Sequence, residues 1–269
     1  MRVEDAFAAA RAQGRAALVV YLTAGYPDVA TSKACFEAAV DAGADLLEVG
    51  LPFSDPMMDG PVIQKANQHV LDAGLDVSGQ LELVASLDVA VPVLAMTYVT
   101  IADTRGYTRF ADELAQAGCC GAILPDLPAP EAADWLTAAR RHDLATVFLA
   151  ASVSTDERLA QIAAASSGFV YATGLLGVTG VKDVAQDDAR TLVSRLREHT
   201  DTPVAVGIGV KDRASAAAVA AYADGVIVGS SIVRAVGEGD PAGAPDRVHA
   251  LVSELRAGVE DGGGRRSDG

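Results

Sequence analysis

The chain has few cysteines and no long apolar run, and each shortage excludes a class of protein. Three cysteines, Cys35, Cys119 and Cys120, cannot all pair in disulfides, and their spacing matches no common zinc site. No segment reaches the roughly 18 apolar residues that cross a bilayer, and residues 1–14 lack the apolar stretch of a secretory signal. These features predict a reduced, cytoplasmic protein that holds no metal and does not enter a membrane.

Basic residues are also scarce. The 269 residues include 21 Lys and Arg against 36 Asp and Glu, a net charge of −15, and contain no long Lys/Arg block. This balance argues against nucleic acid or an anionic membrane surface as the main partner. The lysines fall in presumed helices or loops and the histidines are scattered, which disfavours both a Schiff-base aldolase and a metal-dependent aldolase. Acid-base chemistry by carboxylates remains open.

What the chain does contain is a regular alternation of short Val-, Ile- and Leu-rich runs with longer, Ala-rich amphipathic segments. The short runs predict eight strands, at residues 17–23, 46–49, 93–97, 122–124, 145–149, 169–172, 204–206 and 226–228. The longer segments predict helices at residues 31–42, 63–73, 78–87, 107–117, 131–141, 156–165, 188–198 and 214–222. Apolar runs without polar alternation indicate parallel strands that helices cover on both faces.

Two α/β folds fit this alternation. A weak internal repeat, at residues 41–49, 116–124 and 221–228, favours a single (β/α)8 TIM barrel with an extra N-terminal helix and another after strand two. The competitor is a doubly wound open sheet, but the turn after the first strand, TAGYPD, lacks a GxGxxG fingerprint. Residues 1–257 are therefore predicted to form one catalytic domain, and the Gly- and Arg-rich residues 258–269 a disordered tail.

Two carboxylates are predicted to meet at one end of this barrel. Glu48 falls near the end of strand two within an apolar run, where burying a charge is costly unless the charge is used, and Asp59 follows in the next loop. Active sites of such barrels lie at the carboxyl ends of the strands. Taken alone, Glu48 is equally consistent with a strand-end glutamate bonded to backbone or water, and Asp59 with an ordinary Asp-Gly turn.

A phosphate site is predicted from the late loops. Several glycines follow the last three strands, and Gly229-Ser230-Ser231 opens a short helix whose free N–H groups suit an anion. The glycines of this group are Gly177, Gly180, Gly207, Gly209 and Gly229. Tight turns and helix caps would account for the same glycines without a ligand.

Three segments together resemble the tryptophan synthase alpha chain family. They are YLTAGYP at residues 21–27, LEVGLPFSDPMMDGP at residues 47–61 and GVTG at residues 177–180, within a similarity that spans about residues 17–236. The resemblance implies retro-aldol cleavage of indole-3-glycerol phosphate to indole and glyceraldehyde 3-phosphate, in the biosynthesis of L-tryptophan. It also implies no cofactor on this chain, and a beta chain that carries pyridoxal phosphate and assembles with it as an alpha2-beta2 heterotetramer.

The resemblance also implies roles for individual residues. Glu48 and Asp59 are the implied catalytic pair, with Glu48 acting first as acid and then as base, and Asp59 stabilising positive charge on the indole ring. The implied substrate-binding residues are Tyr21, Tyr98, Tyr171 and Thr179. The implied phosphate-binding residues are Gly180, Gly209, Gly229 and Ser230. Asp55 matches a loop residue that communicates with the beta chain, and Met57 and Met58 are predicted to share that interface, although loop methionines also pack on their own barrel.

Three positions depart from the family's pattern. Residues 172–176, ATGLL, precede Gly177 where the family often carries a Ser and an Arg, Lys211 stands where a serine is usual, and Met57-Met58 replaces Leu-Ala. None of these changes touches the two carboxylates. Two other functions stay open, a stand-alone indole-releasing lyase and a regulatory barrel that binds a phosphorylated indole-like ligand and activates its partner.

Overall fold

The chain folds as a closed barrel of parallel strands. The computed structural model describes residues 1–174 and 182–263. In these residues nine strands form one sheet, in the order β5-β4-β3-β2-β1-β9-β8-β7-β6. The strands are β1 (Ala17–Thr23), β2 (Leu46–Gly50), β3 (Val93–Met96), β4 (Gly121–Ile123), β5 (Ala145–Val147), β6 (Leu149–Ala151), β7 (Val170–Thr173), β8 (Val204–Gly207) and β9 (Gly225–Val228). Because only Phe148 separates β5 from β6, the two ends of this order meet and the sheet closes, which confirms the predicted TIM barrel.

The helices alternate with the strands and surround them. They are α1 (Val3–Ala12), α2 (Val29–Asp41), α3 (Pro61–Asp72), α4 (Val77–Ala85), α5 (Val99–Arg105), α6 (Tyr107–Gln116), α7 (Ala133–Arg140), α8 (Asp156–Ala165), α9 (Lys182–Arg197), α10 (Arg213–Ala220), α11 (Ser230–Gly237) and α12 (Ala244–Gly263). The predicted extra helices are α1, before the first strand, and α3, after β2.

The strands are buried on both faces, as their continuous apolar sequences predict. All seven residues of β1 and all five of β2 are buried. Residues of alternate parity separate into an inner cluster within the barrel and an outer cluster between strands and helices. Helix α1 closes the amino-terminal end of the barrel, where Phe7 packs against Phe169 with ring centroids 5.4 Å apart.

Short polar side chains set where several helices begin. Asp28 accepts the N–H of Thr31 at the start of α2, and Asp76 accepts the N–H of Gly79 at the start of α4. Asp212 caps α10 in the same way and forms a capping box with Ser215. Each cap satisfies an N–H that has no partner within the helix, so the helix boundary is fixed by the local sequence.

Helix α5 is not among the helices that the sequence predicts. It has seven residues, follows β3 after a two-residue break, and receives no side-chain cap from Tyr98, which precedes it. Its first N–H, of Val99, is instead accepted by Asp126 Oδ1 at 2.8 Å, from the loop after β4. A cap that lies 27 residues away leaves no local signal.

The predicted tail begins too early. Residues 258–263 continue α12, and its glycines pack so closely that an added side chain at Gly258 or Gly262 would overlap the backbone of α10. Gly263 approaches the backbone of the α1–β1 turn in the same way. The glycine content that suggested disorder therefore permits helix packing. Residues 264–269 lie outside the described residues.

Two further findings concern the whole described chain. Cys35, Cys119 and Cys120 are free thiols. In residues 1–174 and 182–263, no helix has the length and apolar composition needed to cross a membrane.

Candidate active site

Glu48 lies on the inward side of β2, toward its carboxyl end. It shares the parity of Leu46, which packs inside the barrel, while Leu47 packs outside it. Glu48 is 1% exposed, and in the described part of the chain neither carboxylate oxygen has a hydrogen-bond partner. Burial raises the pKa of Glu48 to about 8, because the charged form loses its hydration and gains nothing in return. The group is therefore mainly protonated at neutral pH, as a general acid must be.

Asp59 lies in the loop after β2, just before α3. Asn67 of α3 donates a hydrogen bond from Nδ2 to Asp59 Oδ2 at 3.3 Å, and the Tyr98 hydroxyl also hydrogen-bonds the carboxylate. The Tyr98 hydroxyl in turn accepts the backbone N–H of Met58 at 2.9 Å. Burial raises the pKa of Asp59, while the hydrogen bonds from Tyr98 and Asn67 oppose that rise. The carboxylate is thus held from two elements by neutral donors.

Tyr21 and Tyr171 form the wall beside Glu48. Tyr21 pairs with Glu48 in the register of β1 and β2, and Tyr171 comes from β7. Burial raises the pKa of both phenols well above the usual range, and the nearby Glu48 and Asp59 raise it further. Both carboxylates therefore lie within electrostatic reach of the same two rings, and the raised pKa values keep both phenols neutral at neutral pH.

Glycines on the neighbouring strands make room for these rings. A side chain at Gly50 would overlap the hydroxyl of Tyr21, and one at Gly207 would overlap the hydroxyl of Tyr171. The third predicted tyrosine, Tyr98, is 4% exposed and stacks on Phe53 with ring centroids 5.2 Å apart. Burial raises its pKa to about 12. The three tyrosines come together around the two carboxylates, so the mouth has aromatic walls and an acidic centre.

The late-loop corner contains three of the predicted phosphate residues. Gly229 precedes α11, and no side chain in the described part of the chain caps this helix, so its first N–H groups, beginning at Ser230, can bind an anion. Ser231 Oγ donates to the carbonyl of Val210 at 3.0 Å, which joins this helix start to the loop that carries Gly209. Gly209 is exposed and has φ +80°, which favours glycine.

The remaining predicted residues are either outside the described residues or exposed at the surface. Thr179, Gly180 and the departing Leu175-Leu176 lie outside the described residues. Lys211 is exposed, and its N–H donates to Ser215 Oγ at 3.1 Å, which fixes its backbone at the start of α10.

The loop between β2 and α3 is open to solvent. Met57 is 79% exposed, and Asp55 is exposed with its carboxylate accepting the Ser54 hydroxyl at 2.6 Å. Met58 is half-buried and bonded to Tyr98 as described above. The loop and one side of α3 border a groove of about 430 Å3. The residues predicted for a partner interface therefore lie on the same loop that ends in Asp59.

Asn67 is a functional candidate that the sequence reasoning missed. It lies on the apolar face of α3, four residues after Ile63 and three before Val70, and is 3% exposed. A polar residue in the apolar stripe of an amphipathic helix is the signal that could have found it. Among the described residues, no group of three His, Cys, Asp or Glu side chains is placed to hold a metal ion.

Comparisons with known proteins point to one family. A family model described as tryptophan synthase alpha chain matches residues 7–260. The tryptophan synthase alpha chain of Streptomyces avermitilis is 49% identical over 263 residues, covering 97% of this chain and 95% of that one. That of Mycobacterium tuberculosis is 47% identical over 262 residues, covering 97% and 95%.

Solved structures give the same result. A crystal structure of Mycobacterium tuberculosis tryptophan synthase superposes with a TM-score of 0.89 at 46% identity, covering 96% of this chain and 98% of that chain. The tryptophan synthase alpha subunit of Legionella pneumophila superposes with a TM-score of 0.87 at 30% identity, covering 97% and 98%.

Proposed function

Because this chain belongs to the tryptophan synthase alpha chain family, we propose that Glu48 and Asp59 carry out the reaction of that family. The chain is a carbon-carbon lyase of tryptophan biosynthesis, which cleaves indole-3-glycerol phosphate to indole and glyceraldehyde 3-phosphate. The observation that carries the residue assignment is the buried carboxyl group of Glu48, which has no hydrogen-bond partner among the described residues and lies in the barrel mouth that it shares with Asp59.

Glu48 is proposed to transfer a proton twice. The bond to be broken joins C3 of the indole ring to a glycerol carbon that bears a hydroxyl group. Protonated Glu48 gives its proton to C3, and positive charge develops on the ring nitrogen. The Glu48 carboxylate then takes the hydroxyl proton, the oxygen forms the aldehyde C=O bond, and the carbon-carbon bond breaks with its electron pair returning to the ring. Glu48 ends the cycle protonated, so the high pKa that burial gives it suits the first step.

Asp59 is proposed to stabilise the cationic intermediate. An ionised carboxylate beside the ring N–H offsets positive charge as it develops, and such a group acts most strongly when it is fixed and shielded from water. The hydrogen bonds from Asn67 and Tyr98 hold Asp59 in place and support its ionised form.

The remaining substrate contacts follow from the shape of the mouth. We propose that Tyr21, Tyr98 and Tyr171 bind the indole ring, because their phenols border the two carboxylates. The phosphate is proposed to bind the backbone N–H groups of Gly209, Gly229 and Ser230. The family resemblance adds two residues that the structure does not describe, Thr179 and Gly180.

The phosphate assignment is tested by a matched pair of variants. The added carbon of Gly229→Ala meets Tyr21 at 3.4 Å, an acceptable contact, so this variant is a steric control. Gly229→Asp adds a negative charge at the same point. We expect glycerol phosphate affinity, measured by calorimetry, to fall sharply for Gly229→Asp and little for Gly229→Ala. Equal affinity in both variants and the wild type would place the phosphate elsewhere.

A beta chain is the partner that the family implies, and pyridoxal phosphate belongs to that chain, not to this one. We propose an alpha2-beta2 heterotetramer in which the loop with Asp55, Met57 and Met58 docks on the beta chain. The exposure of Met57 supports this, and a partner that orders the loop would also fix Asp59 in reactive geometry. The free thiols support the proposal of a reducing, cytoplasmic location. The packing of α12 supports the proposal of one catalytic domain, which includes residues 258–263.

The reaction and the partner are tested together by following indole release from indole-3-glycerol phosphate while a beta chain is titrated into the purified protein. We expect slow release alone and faster release with the beta chain, and none above background with Glu48→Gln. Met57→Lys should weaken the complex in analytical ultracentrifugation, whereas Met57→Leu, which keeps the apolar surface, should not. Wild-type release by Glu48→Gln would overturn the catalytic assignment, and equal release with and without the beta chain would overturn the coupling.

A further inference from the structure

Asn67 is placed where an apolar residue would be expected. It is 3% exposed on the packed face of α3, next to the buried Ala66 and one turn before the buried Val70. Its Nδ2 reaches Asp59 Oδ2 at 3.3 Å, while its Oδ1 is buried and has no partner among the described residues. One half of the amide is therefore used and the other half is left unsatisfied.

Folding stability does not explain this arrangement. A buried acceptor without a partner destabilises the folded state, and an apolar side chain of similar shape would avoid that cost. Leucine has the same branching pattern as asparagine, a γ carbon that bears two further atoms, and would suit the apolar face of the helix. What asparagine provides and leucine does not is the hydrogen bond to Asp59.

We propose that Asn67 is a positioning residue, whose amide orients the Asp59 carboxylate and favours its charged form. The inference deepens the function proposed above and rests on the role given there to Asp59. Asn67 touches no reacting atom in this scheme and acts only through the carboxylate.

The charges around Asp59 explain why one neutral donor matters. The titratable groups that interact across the mouth are Glu48, Tyr21, Tyr98 and Tyr171, and no described basic side chain contributes to the pKa of Asp59. Burial favours the neutral carboxyl, and among the described residues the Tyr98 hydroxyl and the Asn67 amide are the groups that favour the charged form. A donor to a charged group is worth more than one between neutral groups.

The amide and the carboxylate also fix each other's orientation. If the amide were turned over, Oδ1 would face the carboxylate oxygen, and two acceptors would repel. A charged Asp59 therefore keeps Nδ2 toward itself, and the amide, held within the packed face of α3, fixes the position of Oδ2. Small displacements of a reacting group are costly in rate, so this contact has a kinetic consequence.

The test compares two substitutions on the same helix. Asn67→Leu removes the donor to the carboxylate. Gln64→Leu is the matched control, because the exposed Gln64 lies one turn earlier and donates from Nε2 to the backbone carbonyl of Asp59 at 2.8 Å, not to its carboxylate. The pKa of Asp59 is measured by carbon-13 NMR on aspartate-labelled protein, with its signal identified by its loss in Asp59→Asn. Asn67→Ser, which is smaller and cannot span the same distance, serves if Asn67→Leu does not fold.

We expect the pKa of Asp59 to rise by about one unit or more in Asn67→Leu, the loss of one hydrogen bond to a charged group, and to stay at the wild-type value in Gln64→Leu. The acid limb of kcat/KM should move to higher pH by the same amount, and the thermal midpoint of Asn67→Leu should equal or exceed that of the wild type. An unchanged pKa of Asp59 would overturn the inference whatever happens to activity, as would a lower midpoint with an unmoved pH profile. Full activity of Asp59→Asn would instead overturn the proposed function, so the two failures are distinguishable.

Discussion

The carboxylates at the two ends of β2 differ in their hydrogen-bond partners. Asp45, just before the strand, accepts hydrogen bonds from Arg15 at 2.6 and 2.9 Å, from the N–H of Leu18 at 2.8 Å and from Arg256 at 3.4 Å. Glu48, three residues later, has no partner among the described residues. In a TIM barrel the amino-terminal end serves stability and the carboxyl-terminal end serves chemistry, and this strand contains both within a few residues.

The residues around the two ends of the barrel differ in the same way: in the described part of the chain, polar groups are paired at the amino-terminal end and several are unpaired at the carboxyl-terminal end. At the amino-terminal end, α1 closes the barrel with Val3 and Phe7, and the ion pairs of Asp45 tie α12 to the strands. At the other end, the two buried oxygens of Glu48 and the Oδ1 of Asn67 have no hydrogen-bond partner among the described residues; elsewhere in the fold, the same is true of Gln80 Oε1 and the Tyr222 hydroxyl. Unsatisfied buried polar groups are costly, and three of these five atoms belong to Glu48 and Asn67, which favours a functional role for this end of the barrel.

The largest effect is expected when the carboxyl group of Glu48 is removed. Glu48→Gln keeps the size of the side chain but cannot transfer a proton. Since the proposed mechanism uses Glu48 for two proton transfers, turnover should fall by more than the roughly 100- to 10,000-fold typical of one general acid-base group. Indole release with saturating beta chain measures this, and circular dichroism checks that the variant is folded. Near wild-type turnover would remove Glu48 from the mechanism.

The matching change at the other end should affect stability instead. Asp45→Asn leaves Arg15, which is 6% exposed, without its charged partner. Because Asp45 itself is only partly buried, we expect a loss of about 1.5 to 3 kcal/mol, that of a hydrogen bond to a charged group. Urea unfolding should report a loss of this size, while turnover per folded molecule stays unchanged. If Asp45→Asn lowered turnover without lowering stability, the division between the two ends would be wrong.

A smaller kinetic loss is expected at Asp59. Asp59→Asn keeps the shape but removes the negative charge that would offset the ring cation, and removing one such group typically costs about 100- to 1,000-fold in kcat. Single-turnover measurements isolate the chemical step from product release. Retained activity would reduce Asp59 to a turn residue before α3.

The smallest effect is a change in the pH dependence of stability. Burial raises the pKa of Glu48 from its ordinary 4.5 to about 8, so folding takes up a proton and Glu48 costs stability as the pH rises between these values. Glu48→Gln removes that cost. The free energy of unfolding of Glu48→Gln, measured relative to that of the wild type, should therefore rise by about 2 to 3 kcal/mol from pH 5 to pH 7 and level off above pH 8. A constant difference across this range would mean that Glu48 is not buried in its neutral form.

Most strands and helices can be predicted from the sequence, because the strands are buried on both faces and therefore have continuous apolar sequences. Every predicted strand lies within two residues of an observed one, since continuous apolar runs and Ala-rich amphipathic segments are local signals. Helix α5 was missed because Asp126 caps it from another loop, and residues 258–263 were mistaken for a tail because close glycine packing depends on α10.

The site was predictable to a similar depth. The two carboxylates could be predicted because Glu48 interrupts an apolar strand and Asp59 follows it. Asn67 and the hydrogen bonds of Tyr98 were not predicted, because they depend on how α3 and β3 meet the loop in space. Local sequence places a residue on a strand or helix, but it does not state which distant side chain lies opposite.

The tyrosine-glycine contacts shape the aromatic slot with residues other than the two carboxylates. Strands β1 and β7 carry the same Tyr-x-Thr triplet, YLT and YAT, and each threonine pairs with a glycine of the next strand, Gly50 or Gly207. Each phenol fills the volume that a side chain at that glycine would take. The width of the aromatic slot is therefore set by the side-chain sizes in two pairs, Tyr21 with Gly50 and Tyr171 with Gly207. Neither pair includes Glu48 or Asp59. An engineer could reshape the slot for a larger or smaller ring through these pairs and leave the proton-transfer chemistry in place.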